Sequence, residues 1–272
     1  MRQNYKMILQ YEGTRYNGWQ RQGNTSDTIQ GKVEAVLGRM AGEPVEIHGS
    51  GRTDAGVHAL GQVANFYLPA EIEIPSLPES GKISGMDGKK NVRMKKTDQI
   101  RDYLNAYLPE DIAVLSVEEA PERFHSRLNA VRKVYAYRIE TGARRNVFLR
   151  RTIYGLGQPL DLEAMEQASL LLIGTHDFKS FCGNKKMKKS MVRTIYSIDI
   201  RQDFGAGGVT LRFTGNGFLQ NMVRILTGTL IEVGLHKRSW QSIREILEAQ
   251  DRQMAGFTAP AEGLCLEHVF YD

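Results

Sequence analysis

TSDTIQGKVEAVLGRMAG, residues 25–42, places Ile29, Val33, Val36, Leu37 and Met40 at helical spacing. That pattern gives one apolar stripe on a helix packed against a second layer. Asp27, with Gln30 three residues later, resembles a capping box, and Gly42 marks a stop. Before this helix, YKMILQYEG at 5–13 reads as a buried strand. After it, PVEIHGSG at 44–51 reads as a short strand ending in glycines, and GQVANFYLPA at 61–70 as another strand. TDQIRDYLNAYLP at 97–109 returns to the helical period, with Ile100, Tyr103, Leu104 and Tyr107 on one face and a stop before Pro109. DIAVLSVEEA at 111–120 closes the series as a strand. The order β-α-β-β-α-β predicts a ferredoxin-like unit, with helices on one face of an antiparallel sheet.

The second half repeats the order loosely. KVYAYRIE at 133–140 is a strand, and LDLEAMEQASLLLIG is a helix capped near Asp161. VRTIYSIDIRQ at 192–202 and GGVTLRFTG at 207–215 pair as a hairpin across Phe204, Gly205 and Ala206. GFLQNMVRILTGTLIEVG is a long helix, SWQSIREILEAQ at 239–250 another starting at Ser239, and LCLEHVFY at 264–271 a closing strand. The expected fold class is therefore α+β, with two halves of similar topology, 1–120 and 121–272, joined near 121–131. A stretch poor in periodicity interrupts the first half between Pro69 and Asp98. Its part at 81–97 carries Lys82, Lys89, Lys90, Arg93, Lys95 and Lys96 against Asp87 alone. Such a length reads either as a solvated insertion or as a basic arm that grips phosphates.

Composition narrows the classes. With 41% hydrophobic and 25% charged residues, the 272-residue chain has the profile of a soluble globular protein rather than a disordered one. Two cysteines, Cys182 and Cys265, rule out a disulfide framework and a four-cysteine zinc site, and point to a reduced, cytoplasmic setting. No apolar run approaches the roughly 20 residues that span a bilayer, so no membrane partner is expected. The N-terminus lacks a signal-peptide core. A net charge of +5 favours nucleic acid or another anionic partner without establishing one.

Common catalytic signatures fail. There is no G-x-S-x-G elbow, and GMDGKK at 85–90 lacks P-loop spacing. GSGRTD at 49–54 and GNGFLQ at 215–220 begin as G-x-G and miss the third glycine. The six histidines are scattered, none in H-E-x-x-H, and no metal is expected. What remains is GSGRTDAGVHALGQ at 49–62, a glycine-rich loop between two strands that groups Arg52, Asp54 and His58. Glycines let backbone and ligand approach closely. An aspartate there is either aimed into a cleft as an ionised group or spent on its own backbone in an Asx turn.

GRTDAGVHALGQV resembles the signature of the TruA family of tRNA pseudouridine synthases, in which the Asp of R-T-D-x-G-V-H is the essential catalytic residue. YEGTRYNGWQRQ at 11–22, FHSRLNAVRKVYAYRI at 124–139, NGFLQNMVRILTGTLIEVG at 216–234 and AEGLCLEHV at 261–269 resemble four further family motifs in the same order. The resemblance implies two ferredoxin-like (RRM-like) halves forming one extended, mainly antiparallel sheet with a central catalytic cleft. It implies an isomerase that converts uridine to pseudouridine without redox chemistry, so no cofactor is expected. Asp54 would attack the ribose or deprotonate it; Tyr135 would stack on the target base; Arg224 would pair with Asp54. Leu264 would wall the pocket.

Candidate RNA contacts are Arg52, His58, Arg127, Arg21 of the N-terminal motif, and Lys186 and Lys189 of the basic run KKMKKSMVR at 185–193. ARRNVFLRR at 143–151 is a second basic run. Trp19 and Tyr16 either stack on bases or pack. Most bacterial members of the family act on the anticodon stem-loop of tRNA as homodimers, so tRNA and a second copy are the expected partners. The chain departs from the family pattern chiefly in the lengthened 81–97 segment. The competing readings are a relative acting on another RNA and a non-catalytic RNA-binding module. A metal-dependent nuclease lacks carboxylate clusters at suitable spacing.

Overall fold

The computed structural model describes residues 1–23, 25–77, 94–144, 146–184, 186–203 and 208–272. The fold is α+β, with ten strands and five α-helices among these residues. Most of the basic 81–97 segment and the turn at 204–206 lie outside the described residues. The chain divides into two compact units, one of residues 1–53 and 59–129, the other of residues 54–58 and 130–272.

In the first unit, β1 (Arg2–Tyr11) lies between β3 (His58–Pro69) and β4 (Ile112–Ala120), antiparallel to both, and β2 (Ile47–Gly49) pairs with β3. Alternation on β1 buries Tyr5, Met7, Leu9 and Tyr11. Tyr5 stacks on its cross-strand partner Phe66, ring centroids 5.7 Å apart. Two helices, α1 (Ile29–Ala41) and α2 (Lys96–Tyr107), bury Ile29, Val33 and Leu37, and Ile100 and Leu104. The cap of α1 falls one residue later than the sequence suggested. Thr28 accepts the Gly31 N–H at 3.2 Å, while Asp27 bonds Lys32. Gln30 turns inward to Glu34 and the Ile47 carbonyl, which anchors β2. The joining residues 121–129 are tied to this unit through Asn4, which donates to the Pro121 and Phe124 carbonyls, and Asn65, which accepts the Ser126 N–H.

The second unit orders its strands β10 (Leu264–Tyr271), β5 (Ala130–Glu140), β9 (Gly208–Gly215), β8 (Val192–Asp203) and β7 (Gly174–Asp177), all antiparallel neighbours. β6 (Tyr154–Gly155) runs parallel to the end of β5. Its helices are α3 (Leu162–Leu170), α4 (Met222–Gly234) and α5 (Ser242–Ala249). Asp161 caps α3, as its sequence indicates, accepting the Ala164 N–H at 3.0 Å. Two helices are shorter than periodicity predicts because the backbone turns. Gly174 at φ 110 redirects the apolar end of the α3 segment into β7, and Asn221 at φ 58 breaks the run ahead of α4. α5 likewise begins after a turn in which the Ser242 N–H bonds the Ser239 carbonyl.

The part of the signature loop that precedes Asp54 is fixed from within the first unit. Fully buried Ser50 donates to fully buried Gln62 at 2.7 Å, Gln62 bonds the Gly51 carbonyl and the Tyr11 hydroxyl, and Tyr11 meets Thr53 at 2.9 Å. The Trp19 backbone N–H donates to the Thr53 carbonyl, and the Trp19 ring lies against Gly49. Trp19 and Tyr16, 2% and 5% exposed, therefore pack rather than await bases. A Cβ on Gly49 would lie 2.5 Å from the Trp19 ring. Gly49→Ala is expected to cost about 1–3 kcal/mol through overpacking. Urea unfolding reads this directly, and an unchanged midpoint would show that Trp19 has room to move.

Candidate active site

Asp54 follows this clamped loop by one residue. Its carbonyl accepts the Val57 N–H at 3.1 Å, and Gly56 at φ 78 occupies the third position of the turn. This is the position that type II turns reserve for glycine. The backbone closes the turn by itself, so the carboxylate is not spent on an Asx turn. It accepts the backbone N–H of Asn221, the residue that precedes α4. A carboxylate suits a helix N-terminus, where unpaired N–H groups and the macrodipole meet it.

Arg224 stands in the first turn of α4, fixed by three contacts. Its Nε donates to the Ala259 carbonyl at 2.7 Å and its Nη1 to Asn221 Oδ1 at 3.2 Å. The same Nη1 lies 3.9 Å from Asp54 Oδ2. That last distance allows ion-pair attraction but no direct hydrogen bond. Asp54 thus keeps carboxylate lone pairs uncommitted, and its side chain retains 33% of its exposure. Burial raises its pKa above the ordinary carboxylate value, and the Arg224 charge and the Asn221 N–H offset this only in part. Arg224 favours the ionised form, as a paired arginine should, but desolvation is the largest contribution and leaves the net shift upward. A carboxylate of raised pKa is a better base and nucleophile than a tightly bridged one.

The position of Arg224 depends on the segment ahead of β10. Ala259 both accepts from the Arg224 side chain and donates its N–H to the Arg224 carbonyl at 3.1 Å. Tyr137, fully buried on β5, donates its hydroxyl to the Pro260 carbonyl at 2.7 Å. His58 Nε2 lies 3.1 Å from the Glu262 carbonyl. Residues 259–262 are therefore a hub joining α4, β5 and His58 within the second unit. Two glycines make room for it. A Cβ at Gly228 would sit 1.9 Å from the Phe257 carbonyl oxygen, and one at Gly263 2.6 Å from the Tyr137 ring. Thr227 and Gly228, beside Arg224 on α4, are buried under this segment.

Tyr135 lies on β5 between Phe213 and Leu266, 8% exposed, with Phe218 edge-on at 5.3 Å. Leu264 is buried opposite Tyr137. The structure thus brings Asp54 and Arg224 together. His58 sits buried on a backbone carbonyl. Arg52, Arg127, Lys186 and Lys189 are exposed. Arg21 is exposed and pairs with Glu34 at 3.3 Å. Sequence reading did not single out Asn221 or Ala259 as site residues. Ala259 acts through its main chain and leaves no side-chain signal, whereas an asparagine just ahead of a helix was a usable one.

Comparison with known proteins identifies the family. The sequence model of the family described as tRNA pseudouridine synthase matches residues 7–129 and 168–272. A protein named tRNA pseudouridine synthase A from Bacillus sp. (strain KSM-64) is 45% identical over 268 residues, covering 98% of this chain and 99% of its own. One named tRNA pseudouridine synthase A 2 from Bacillus anthracis is 44% identical over 266 residues, 98% of each. One named tRNA pseudouridine synthase A from Geobacillus sp. (strain WCH70) is 42% identical over 273 residues, the full length of both. With its signature aspartate seated between a helix N-terminus and an arginine, and with relatives matched end to end, this chain belongs to the tRNA pseudouridine synthase family.

Proposed function

We propose that the chain isomerises uridine to pseudouridine in tRNA, with its target in the anticodon stem-loop, and that Asp54 starts the reaction. The observation that carries the reading is the Asp54 carboxylate: partly exposed, held by the Asn221 N–H, and 3.9 Å from Arg224. In the reaction the bond from uracil N1 to the sugar breaks, the base turns, and C5 bonds the same sugar carbon. The C5 proton leaves and N1 gains one, so nothing is oxidised or reduced. Two routes use the same carboxylate: attack on the sugar carbon, or abstraction of a sugar proton. Deuterium in place of the sugar hydrogen slows the second route and not the first. Tyr135 supplies a flat ring for the extruded base, and Leu264 an apolar wall. Arg52, Arg127, Arg21, Lys186 and Lys189 serve the RNA backbone, with affinity that falls as salt rises.

The proposal extends to two ferredoxin-like halves. The strand order β4-β1-β3-β2 in one unit and β10-β5-β9-β8 in the other support it. It also extends to a homodimer working in the cytoplasm. No helix among the described residues is long and apolar enough to cross a membrane. Mapping pseudouridine in cellular tRNA with and without the gene tests the reading. Sites that vanish with the gene and return with the wild-type chain are expected; an unchanged map would overturn it.

A further inference from the structure

Phe148 is 92% exposed and Val147 beside it 59%. Both lie in the second unit, in a turn between the two segments matched by the family model. Order at this turn is built in. The Asn146 N–H donates to both carboxylate oxygens of Glu140 at the end of β5, at 2.9 and 3.1 Å. The Asn146 side-chain oxygen accepts the N–H groups of Phe148 and Leu149, at 3.1 and 3.3 Å. The Thr152 N–H bonds the Leu149 carbonyl at 2.8 Å, and Arg150 Nη1 reaches back to the Val147 carbonyl at 2.8 Å. A fixed backbone thus holds an aromatic ring out in water, with a guanidinium planted on the same turn.

We propose that Phe148 is a stacking platform for an unpaired base of the RNA substrate, with Arg150 beside it for the flanking phosphate. The inference rests on the tRNA reading above. Charge decides the occupant. Residues 143–151 hold Arg144, Arg145, Arg150 and Arg151 and no acid, and the nearby Glu140 is capped by the Asn146 N–H. A second copy docking through the same turn would bring like arginines face to face, whereas a polyanion with exposed bases satisfies ring and charge together. Phe148 is a binding group and takes no part in the bond exchange.

The test measures affinity for an unmodified tRNA transcript and for a short single-stranded RNA, in wild type, Phe148→Ala and Phe148→Trp. The alanine variant is expected to bind both RNAs about 5- to 150-fold more weakly, the range for losing one stacked base, with the loss appearing in KM. The tryptophan variant is expected to keep affinity. Equal affinity in wild type and Phe148→Ala would overturn the proposal. So would a change confined to sedimentation, which would assign the ring to a second copy of the chain. Weakened binding to the single-stranded RNA in a protein that forms no pseudouridine would uphold the platform while refuting the activity.

Discussion

Asp54→Asn is expected to abolish pseudouridine formation while tRNA still binds. Asparagine has the same shape and can still accept the Asn221 N–H, so the turn and the start of α4 stay in place. What it lacks is a charge and a lone pair basic enough to attack carbon or take a proton. The expected loss is at least about 10²–10⁴-fold, the contribution of a positioned acid–base group, and more if the carboxylate itself bonds to the sugar. Single-turnover assays at saturating enzyme separate this from weakened binding. Full turnover by the variant would remove Asp54 from the chemistry.

The same variant carries a second, opposite signature in stability. Burial places the folded-state pKa of Asp54 above its unfolded value, so the folded protein holds that proton more tightly than the unfolded chain. The stabilising contribution is complete below the ordinary carboxylate pKa and is lost as pH rises through the raised folded value. At neutral pH the wild type therefore bears the cost of an ionised, desolvated carboxylate, and Asp54→Asn does not. The variant is expected to melt higher than wild type at neutral pH and to lose that advantage in acid. A variant less stable at neutral pH would mean that the attraction to Arg224 outweighs burial.

Much of the fold was legible because its elements obey one period each. The α1 stripe of Ile29, Val33 and Leu37, the alternation on β1 and the capped start of α3 are local patterns, and local patterns survive folding. Boundaries failed where the backbone turned inside an apolar run, at Gly174 and Asn221, because hydrophobicity carries no record of φ. β6 and β7 were too short to show a period. At the site, Asp54 and Arg224 were reached through motifs. Their coupling through Asn221 and Ala259 was not: the Asn221 N–H that meets Asp54 and the Ala259 carbonyl that meets Arg224 are main-chain groups, and each joins segments distant in sequence. The direction of the Asp54 shift was hidden for a related reason. It depends on how much water burial removes from the carboxylate, a quantity set by packing and invisible in a list of charged residues.

Arg224 has two jobs in this geometry, and variants can separate them. Its charge lowers the Asp54 pKa against burial, and its Nε and Nη1 hold the Ala259 carbonyl and Asn221 in place. Arg224→Met removes both. The Asp54 pKa is then expected to rise further, so the acid limb of the pH–rate profile moves to higher pH. Neutral-pH turnover is expected to fall by roughly 10²–10³-fold, the usual cost of deleting one electrostatic donor from a site. Arg224→Lys keeps the charge, but a single ammonium on a flexible stem cannot reproduce the fork that spans Ala259 and Asn221. Its acid limb is expected to stay near that of wild type while kcat falls. A methionine variant with a wild-type pH profile would reduce Arg224 to a tether. A lysine variant with wild-type kcat would show that the tether is dispensable, leaving the electrostatic role to account for the whole effect.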